Sequence, residues 1–549
     1  MSTITGYPQA AINSKSSLFS SIRVIIETAF YGNNVQVIEH LAQAYQLAAN
    51  SPGTIVTDLA VSHTEELKLP KDSKVLVFND GEIVGRTAAA RRVIGEPEIN
   101  QVKYEKILRE AIYQSRTRQF YHGEVIVGLD QEFSVKAHVL IPEGFENNLY
   151  SYLLNFQALT AEIENEYQHS QTYHEGDLYI FADPEWQNPA FPDGLVLIDA
   201  VHNVAAVLGL RYFGELKKAT LTLAWALANR NGFIACHGGL KQYQFPSHHY
   251  TMAVFGLSGS GKSTITLAKR ADDVVTVLHD DAFVISKTKG STTALEPAYF
   301  DKTQDYASDD PTIASFLTCQ NVGVTLNDSG KKVLVTEDIR NGNGRAIKSR
   351  FVTPNRVDHL DDKIDAVFWI MKDDVFPPVV KMNDPILAAI FGATLATKRS
   401  SAENIRNQEE VDQLVFVPYA NPFRVYPLAE DYQAFKELFE QQNTDCYILN
   451  TGFFDQKKIT PEITLKSVEA IAKKQVQFLP LGKLTELSYL PIAGFSERFN
   501  EVTYQERLYQ RLSSRNQFLQ EQAELLGGYH ELPAEATEYL ERLLKKLKK

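Results

Sequence analysis

The run Tyr250-Thr251-Met252-Ala253-Val254-Phe255-Gly256-Leu257-Ser258-Gly259-Ser260-Gly261-Lys262-Ser263 decides how this chain is read. Its first six residues form an apolar strand, a glycine-rich turn follows, and helical spacing resumes over 263–270. The turn fits G-x-x-x-x-G-K-[S/T], and each part has a physical reason. Glycines let backbone N–H groups turn inward onto an anionic phosphate with no Cβ in the way. The following helix aims its positive end at the same point. Lys262 adds a point charge for the outer phosphates, and the Ser263 hydroxyl can ligate Mg²⁺. Residues Gly256 to Thr264 are therefore expected to bind a nucleotide, ATP with its divalent metal.

The next apolar strand, 274–278, ends at Asp280-Asp281. If the two strands are neighbours in a parallel sheet, they end on the same side and these carboxylates lie beside the phosphates. There they can hold a metal directly or through its water.

Outward from this centre the chain is mixed α/β. Helical spacing is expected over 35–49 and a strand over Lys74–Phe78, closed by the turn Asn79-Asp80-Gly81. Further strands are expected over 123–129, 134–141, 178–181 and 195–198. Beyond residue 490, Tyr504, Leu508 and Leu512 open an apolar stripe that continues to Leu526 and stops at Gly527-Gly528. After Pro533 a second stripe runs through Ala536, Leu540, Leu543, Leu544 and Leu547. The expected division is an α/β domain on the substrate side (1–235), a P-loop nucleotide- and metal-binding domain (236–490) and a helical extension (491–549). The tail helices are expected to cover their own core or, alternatively, to mediate self-association.

Composition limits the function classes. The 549 residues are 44% hydrophobic and 22% charged, as in globular proteins of more than one domain. A formal charge of −13 argues against nucleic acid or an anionic membrane surface as a general partner. Cys236, Cys319 and Cys446 form no CxxC pair, which fits a reducing compartment and gives no zinc or disulfide framework. With no secretory pattern at the start and no run of roughly 20 apolar residues, a cytoplasmic location is expected.

Beyond the loop, a wider set of motifs resembles the ATP-dependent phosphoenolpyruvate carboxykinases. Tyr212-Phe213-Gly214-Glu215-Leu216-Lys217-Lys218 is similar to that family's Y-G-G-E-M-K-K segment, and His237 follows Lys218 by nineteen residues, as in the family. The glycine-rich loop is similar to G-L-S-G-T-G-K-T. Asp280-Asp281, Glu296-Pro297, Asn343-Gly344-Arg345, Asn450-Thr451-Gly452, Lys458-Ile459 and Thr464 follow in the family's order, and Pro70-Lys71-Asp72 marks the start of the likeness. The resemblance implies a two-domain carboxykinase-like fold. It implies a Mn²⁺ site of Lys218, His237 and Asp281, and Mg²⁺ and phosphate binding by Lys262 and Ser263 with Asp280 nearby. Tyr212 and Ser258 would lie at the substrate, Arg345 between substrate and γ-phosphate, and Lys458, Ile459 and Thr464 around adenine and ribose. The implied reaction converts oxaloacetate and ATP to phosphoenolpyruvate, ADP and CO₂. Lysine ligates a metal only as the neutral amine, so Lys218 is expected to have a lowered pKa.

The chain also departs from the pattern. Leu67-Lys68-Leu69-Pro70 stands where the family has glycine-arginine-serine-proline, so Lys68 replaces the arginine that grips substrate, with the loss of its bidentate fork. The segment from Asp281 to Glu296 is short and lacks a lysine motif, for which Lys287 or Lys289 are the nearest substitutes, and Lys458 replaces a nucleotide-side arginine. Two further readings follow. One is a kinase of the same fold acting on another small molecule or on a protein serine, since the loop and acid pair also resemble the bacterial HPr serine kinase. The other is a nucleotide-sensing interaction protein whose tail helices recruit a partner.

Overall fold

A computed structural model describes residue 9 and residues 20–78, 85–257, 259–268, 274–336, 344–398, 414–495 and 499–548. The turn at Asn79-Asp80-Gly81, Ser258 and Asn343 lie outside the described residues.

The phosphate-loop strand His249–Phe255 is central to a sheet of eight strands. On one side it runs parallel to Ala366–Met371, which is in turn parallel to Asp445–Asn450. On its other side lies Gly239–Gln244, antiparallel both to it and to Val275–His279. The strand leading to Asp280-Asp281 therefore points the same way as the loop strand but is not its neighbour, correcting the simple parallel pairing. Gly239–Gln244 enters between them at the end where the other two finish, with Gly239 opposite Val254 and Leu240 opposite His279. His237 is thus delivered to the same sheet end as the loop and the acid pair.

The N-terminal sheet runs Val35–Ile38, Phe120–Asp130, Phe133–Pro142, Leu178–Asp183, Val204–Leu208, Leu195–Asp199, Arg91–Val93, with Gln157–Ala158 pairing Phe120–Asp130. The single helix expected over 35–49 is instead two elements, the strand Val35–Ile38 and the helix Leu41–Asn50. Val35, Val37 and Ile38 favour a pleated surface, and Val35–Ile38 finds a parallel partner in residues 120–123. A smaller sheet ties the two halves together by pairing Lys74–Phe78 with Phe316–Gln320. The buried helix Phe213–Arg230 carries the two lysines past the sheet ends.

The tail is the helices Val502–Glu524 and Ala534–Lys548. Their stripe, including Leu508, Leu512, Leu540 and Leu543, is fully buried in one apolar cluster with Trp369, Phe391 and Phe435. At about 1.5–3 kcal/mol per buried leucine, covering this stripe is a substantial part of the domain's stability. Left-handed backbone at Leu526 and Gly527 (φ 51° and 64°) turns the chain between the helices. Among the described residues no helix is long and apolar enough to cross a membrane.

Asp431, on the helix Leu428–Gln441, is 2% exposed and accepts a hydrogen bond from Tyr426 at 3.0 Å. Burial pushes its carboxyl up to about 6, against the pull of Arg424 and of that hydrogen bond. A raised acid pKa favours the fold while the group is protonated. Its contribution is present below the ordinary value of 3.8 and is lost as pH rises through about 6. Two units correspond to about 3 kcal/mol. Asp431→Asn keeps the shape without the charge. In urea titrations its stability should match the parent near pH 4 and exceed it by about 3 kcal/mol at pH 8.

Candidate active site

The cleft beside the phosphate loop holds about 320 Å³. Its floor is the loop, through Leu257, Gly259, Gly261, Lys262, Ser263 and Thr264, and its walls include Tyr212, Lys218, His237, Asp280, Asp281 and Arg345. The loop conformation is one that only glycine adopts easily: Gly261 has φ 100°. A Cβ on Gly256 would stand 2.4 Å from Ser260 Oγ, so the chain is closed tightly there. Thr451 donates to the Ser260 carbonyl at 2.8 Å and Lys372 to that of Gly259 at 3.1 Å, which braces the loop from the adjacent strand ends.

Asp281 is the hub. His237 ends the strand Phe233–His237, which pairs with Ala282–Ser286, and Gly238 N–H donates to the Asp281 carbonyl at 3.0 Å. The backbone thus sets the two side chains together: His237 Nε2 is 3.0 Å from Asp281 Oδ1. Lys262 Nζ reaches the same oxygen at 3.3 Å, while Lys217 and Lys218 each donate to Oδ2 at 2.9 Å. Burial would push Asp281 up, but the three lysines hold it well below the usual carboxylate range.

The two adjacent lysines differ in charge state. Lys217 pairs with both Asp281 and the fully buried Glu296, at 2.9 Å each, and these carboxylates overcome burial to raise its pKa. Lys218 shares only Asp281 and faces Phe423, with Nζ 4.8 Å from the ring centroid. Burial, reinforced by the Lys217 charge, brings it down to about 8. Of the pair, Lys218 is the one able to offer a neutral amine.

A divalent cation fits this donor set. His237 Nδ1 donates to the Ala420 carbonyl at 2.6 Å, which leaves the lone pair of a neutral ring on Nε2, facing carboxylate Oδ1. Burial and then the Lys218 and Lys262 charges bring His237 down to about 3, so it is neutral at physiological pH. Lone pair opposes carboxylate until an electrophile joins them. An amine, an imidazole and one carboxylate form a donor set for a divalent transition metal. On the loop side, the Ser263 hydroxyl bonds Asp280, whose carboxyl is raised by burial and by Asp301 nearby, an arrangement suited to Mg²⁺ with its waters.

Other expected residues stand elsewhere. Lys68 is exposed, in left-handed backbone (φ 57°), and does not line the cleft. The correction has a local cause: Leu67 N–H and Leu69 N–H bond back to His63 and Thr64, and this turn carries Lys68 at the surface. Lys287 and Lys289 do not line the cleft either, and Lys289 pairs with Glu132 at 3.3 Å. Lys458 is exposed, Ile459 and Thr464 are buried, and none of the three lines this cleft. Gly256 and Ser260 shape the loop from beneath.

Cations that sequence reading missed occupy the cleft instead. Arg86 lines it, with its guanidinium 4.9 Å from the Phe423 ring centroid, and Lys302 stands close enough to Arg345 for that charge to lower its pKa after burial has done so. No motif marks Arg86 or Lys302. The Lys217-Lys218 doublet did carry a signal, since two adjacent lysines on a buried helix require an anion.

The fold and this loop, with its acid pair and lysines, define a P-loop phosphate-binding enzyme architecture. The sequence profile of the phosphoenolpyruvate carboxykinase family matches residues 48–489, and the chain belongs to that family. It is 26% identical to the ATP-type phosphoenolpyruvate carboxykinase of Aeropyrum pernix, over 53% of this chain and 60% of that one. It is 22% identical to the corresponding protein of Rhodopseudomonas palustris (76% of this chain, 75% of that one) and 21% identical to that of Mesorhizobium japonicum (69% and 71%). With the Aeropyrum protein, then, the likeness spans less than two thirds of the relative's length.

Proposed function

We propose that the chain is an ATP-dependent phosphoenolpyruvate carboxykinase, converting oxaloacetate and ATP to phosphoenolpyruvate, ADP and CO₂. The observation that carries this reading is the convergence of Lys218, His237 and the loop Lys262 on the one carboxylate of Asp281. A phosphate cradle alone would serve any nucleotide enzyme; one merged with an amine–imidazole–carboxylate set serves transfer to an oxyanion.

Lys218, His237 and Asp281 would hold Mn²⁺, and Ser263 with Asp280 would hold Mg²⁺; when bound, these ions supply Lewis acidity for developing negative charge on oxygen and phosphate. The chain's own groups do the rest. Arg86 and Arg345 face the cleft from separate elements and would fix the substrate carboxylates and the γ-phosphoryl group. As the C–C bond to the departing CO₂ breaks, its electron pair moves to the enolate oxygen. That oxygen attacks the γ-phosphorus, and ADP leaves with the electrons of the broken P–O bond; no proton is transferred. Lys262 and the loop N–H groups offset the charge on the β- and γ-phosphates. Tyr212 and Phe423 narrow the cleft and limit water, which would otherwise protonate the enolate.

Arg86 supports the oxaloacetate reading by supplying a guanidinium in the cleft, which Lys68, the residue favouring a different acceptor, does not line. The purified chain with Mn²⁺, Mg²⁺, ATP and oxaloacetate should form phosphoenolpyruvate, detected by coupled assay. ATP consumption with none formed would transfer the assignment to a kinase of the same fold with another acceptor.

A further inference from the structure

A second cluster of ligand atoms lies on the N-terminal sheet, among residues that do not line the cleft. His122 and Glu124 alternate along Phe120–Asp130 and so share one face of it. Glu124 is directly opposite His138 on the neighbouring strand Phe133–Pro142. His122 Nε2 is 3.0 Å from His138 Nδ1, His138 Nδ1 is 3.3 Å from Glu124 Oε1, and His122 Nε2 is 3.7 Å from that same oxygen. Four ligands arranged tetrahedrally at the usual 2.0–2.1 Å from zinc stand about 3.3 Å apart. A point equidistant from the three atoms found here lies about 2 Å from each.

The surroundings fix these atoms in place. His138 Nε2 meets the buried Asp177 carboxylate at 3.1 Å, and a neutral ring donating there has its lone pair on Nδ1, inside the triangle. Tyr179 stacks on the His138 ring at 4.4 Å, and Phe30 meets the His122 ring edge-on at 5.1 Å. Lys136 Nζ stands 3.8 Å from the other Glu124 oxygen, Oε2, and leaves Oε1 to the histidines. A proton on His138 Nδ1 would satisfy one of its two close contacts. A divalent ion would satisfy all three donors at once. Glu124, whose side chain is 28% exposed, opens the remaining position to solvent.

We propose that His122 Nε2, Glu124 Oε1 and His138 Nδ1 form a second divalent-metal site, of zinc-like preference, with water as fourth ligand and Asp177 as the group that orients His138. It clamps the second and third strands from one edge of the sheet and is separate from the Lys218–His237–Asp281 set.

Cobalt(II), which reports tetrahedral coordination by intense visible absorption, tests this in the metal-stripped full chain. The expected result is one equivalent of strongly absorbing cobalt that persists in Asp281→Asn and is lost in Glu124→Gln and in His122→Gln. Asp177→Asn should keep the spectrum but weaken binding roughly 10–100-fold. Glu124→Gln is isosteric, so an unchanged melting temperature without metal shows that its loss of cobalt reads the ligand and not the fold. Zinc should raise the melting temperature of the parent and of Asp281→Asn, and leave that of Glu124→Gln unmoved. Cobalt absorption that survives Glu124→Gln and His122→Gln, or a parent whose only cobalt is removed by Asp281→Asn, would overturn the proposal in favour of a protonated His138 between two carboxylates.

Discussion

Asp281→Asn should lower kcat for phosphoenolpyruvate formation by about 10³-fold or more, some 4 kcal/mol of transition-state stabilisation. The amide keeps the shape and removes the one negative charge on which His237, Lys217, Lys218 and Lys262 converge. Two effects combine. The cation-binding set loses its only carboxylate, so Mn²⁺ affinity, followed by the paramagnetic resonance of free Mn²⁺, should fall with kcat. The buried ammonium of Lys217 loses one of its two partners, and breaking a buried pair typically costs about 3–5 kcal/mol, which denaturant titration would read. The phosphate loop keeps its backbone donors, so ATP should still bind. A variant retaining activity within tenfold of the parent would refute the central role given to this carboxylate.

Arg515→Ala should destabilise the chain by about 3–5 kcal/mol, a large effect for a residue so far along the sequence from the cleft. Arg515 is wholly buried on the first tail helix. It donates to the Thr394 carbonyl and hydroxyl, lies over the Phe391 ring at 4.3 Å, and approaches Asp373 at 3.9 Å. Arg511 holds the same Asp373 oxygen at 2.9 Å. Asp373 lies two residues beyond the strand Ala366–Met371, beside Lys372, which reaches the Gly259 carbonyl; Asn450 donates to the Asp373 carbonyl at 2.7 Å. The helix thus holds the turn that braces the phosphate loop. Loss of Arg515 should therefore raise the KM for ATP several-fold more than that for oxaloacetate. Equal changes in the two constants would reduce Arg515 to a purely structural role.

The parts of the site visible in sequence were those carried by short, chain-local spacings. The loop, the acid pair, and Lys218 with His237 each sit on one strand end or one helix, where local pattern and position in space coincide. Asp301 and Lys302 were not visible, because they reach the cleft on the strand Tyr299–Lys302, which is placed by pairing with the distant Arg345–Lys348, and no motif marks Arg86. Lys68 misled for the opposite reason: Pro70-Lys71-Asp72 fixes its place in the motif, while a left-handed turn at the residue itself sets its position at the surface. The strand over 35–38 was read as helix because Val35 and Ile38, three apart, run into the apolar period of the helix that begins at Leu41. Nor could local pattern show that Gly239–Gln244 intervenes between the loop strand and the acid strand, a matter of sheet order alone.

The tail lies beyond the span matched by the family profile, yet Leu543 and Leu547 close the same apolar cluster as Trp369. On the ribosome, the part of the protein that builds the nucleotide cradle must wait for residues synthesised more than 150 positions after its central strands before its interior is sealed. The strands of the N-terminal sheet come wholly from residues up to 208, and the core packed on it is complete once Phe423, Val425 and Tyr426 are made, well before the tail. Nascent chains of this protein should therefore show a long interval in which the first half resists protease and the second half does not.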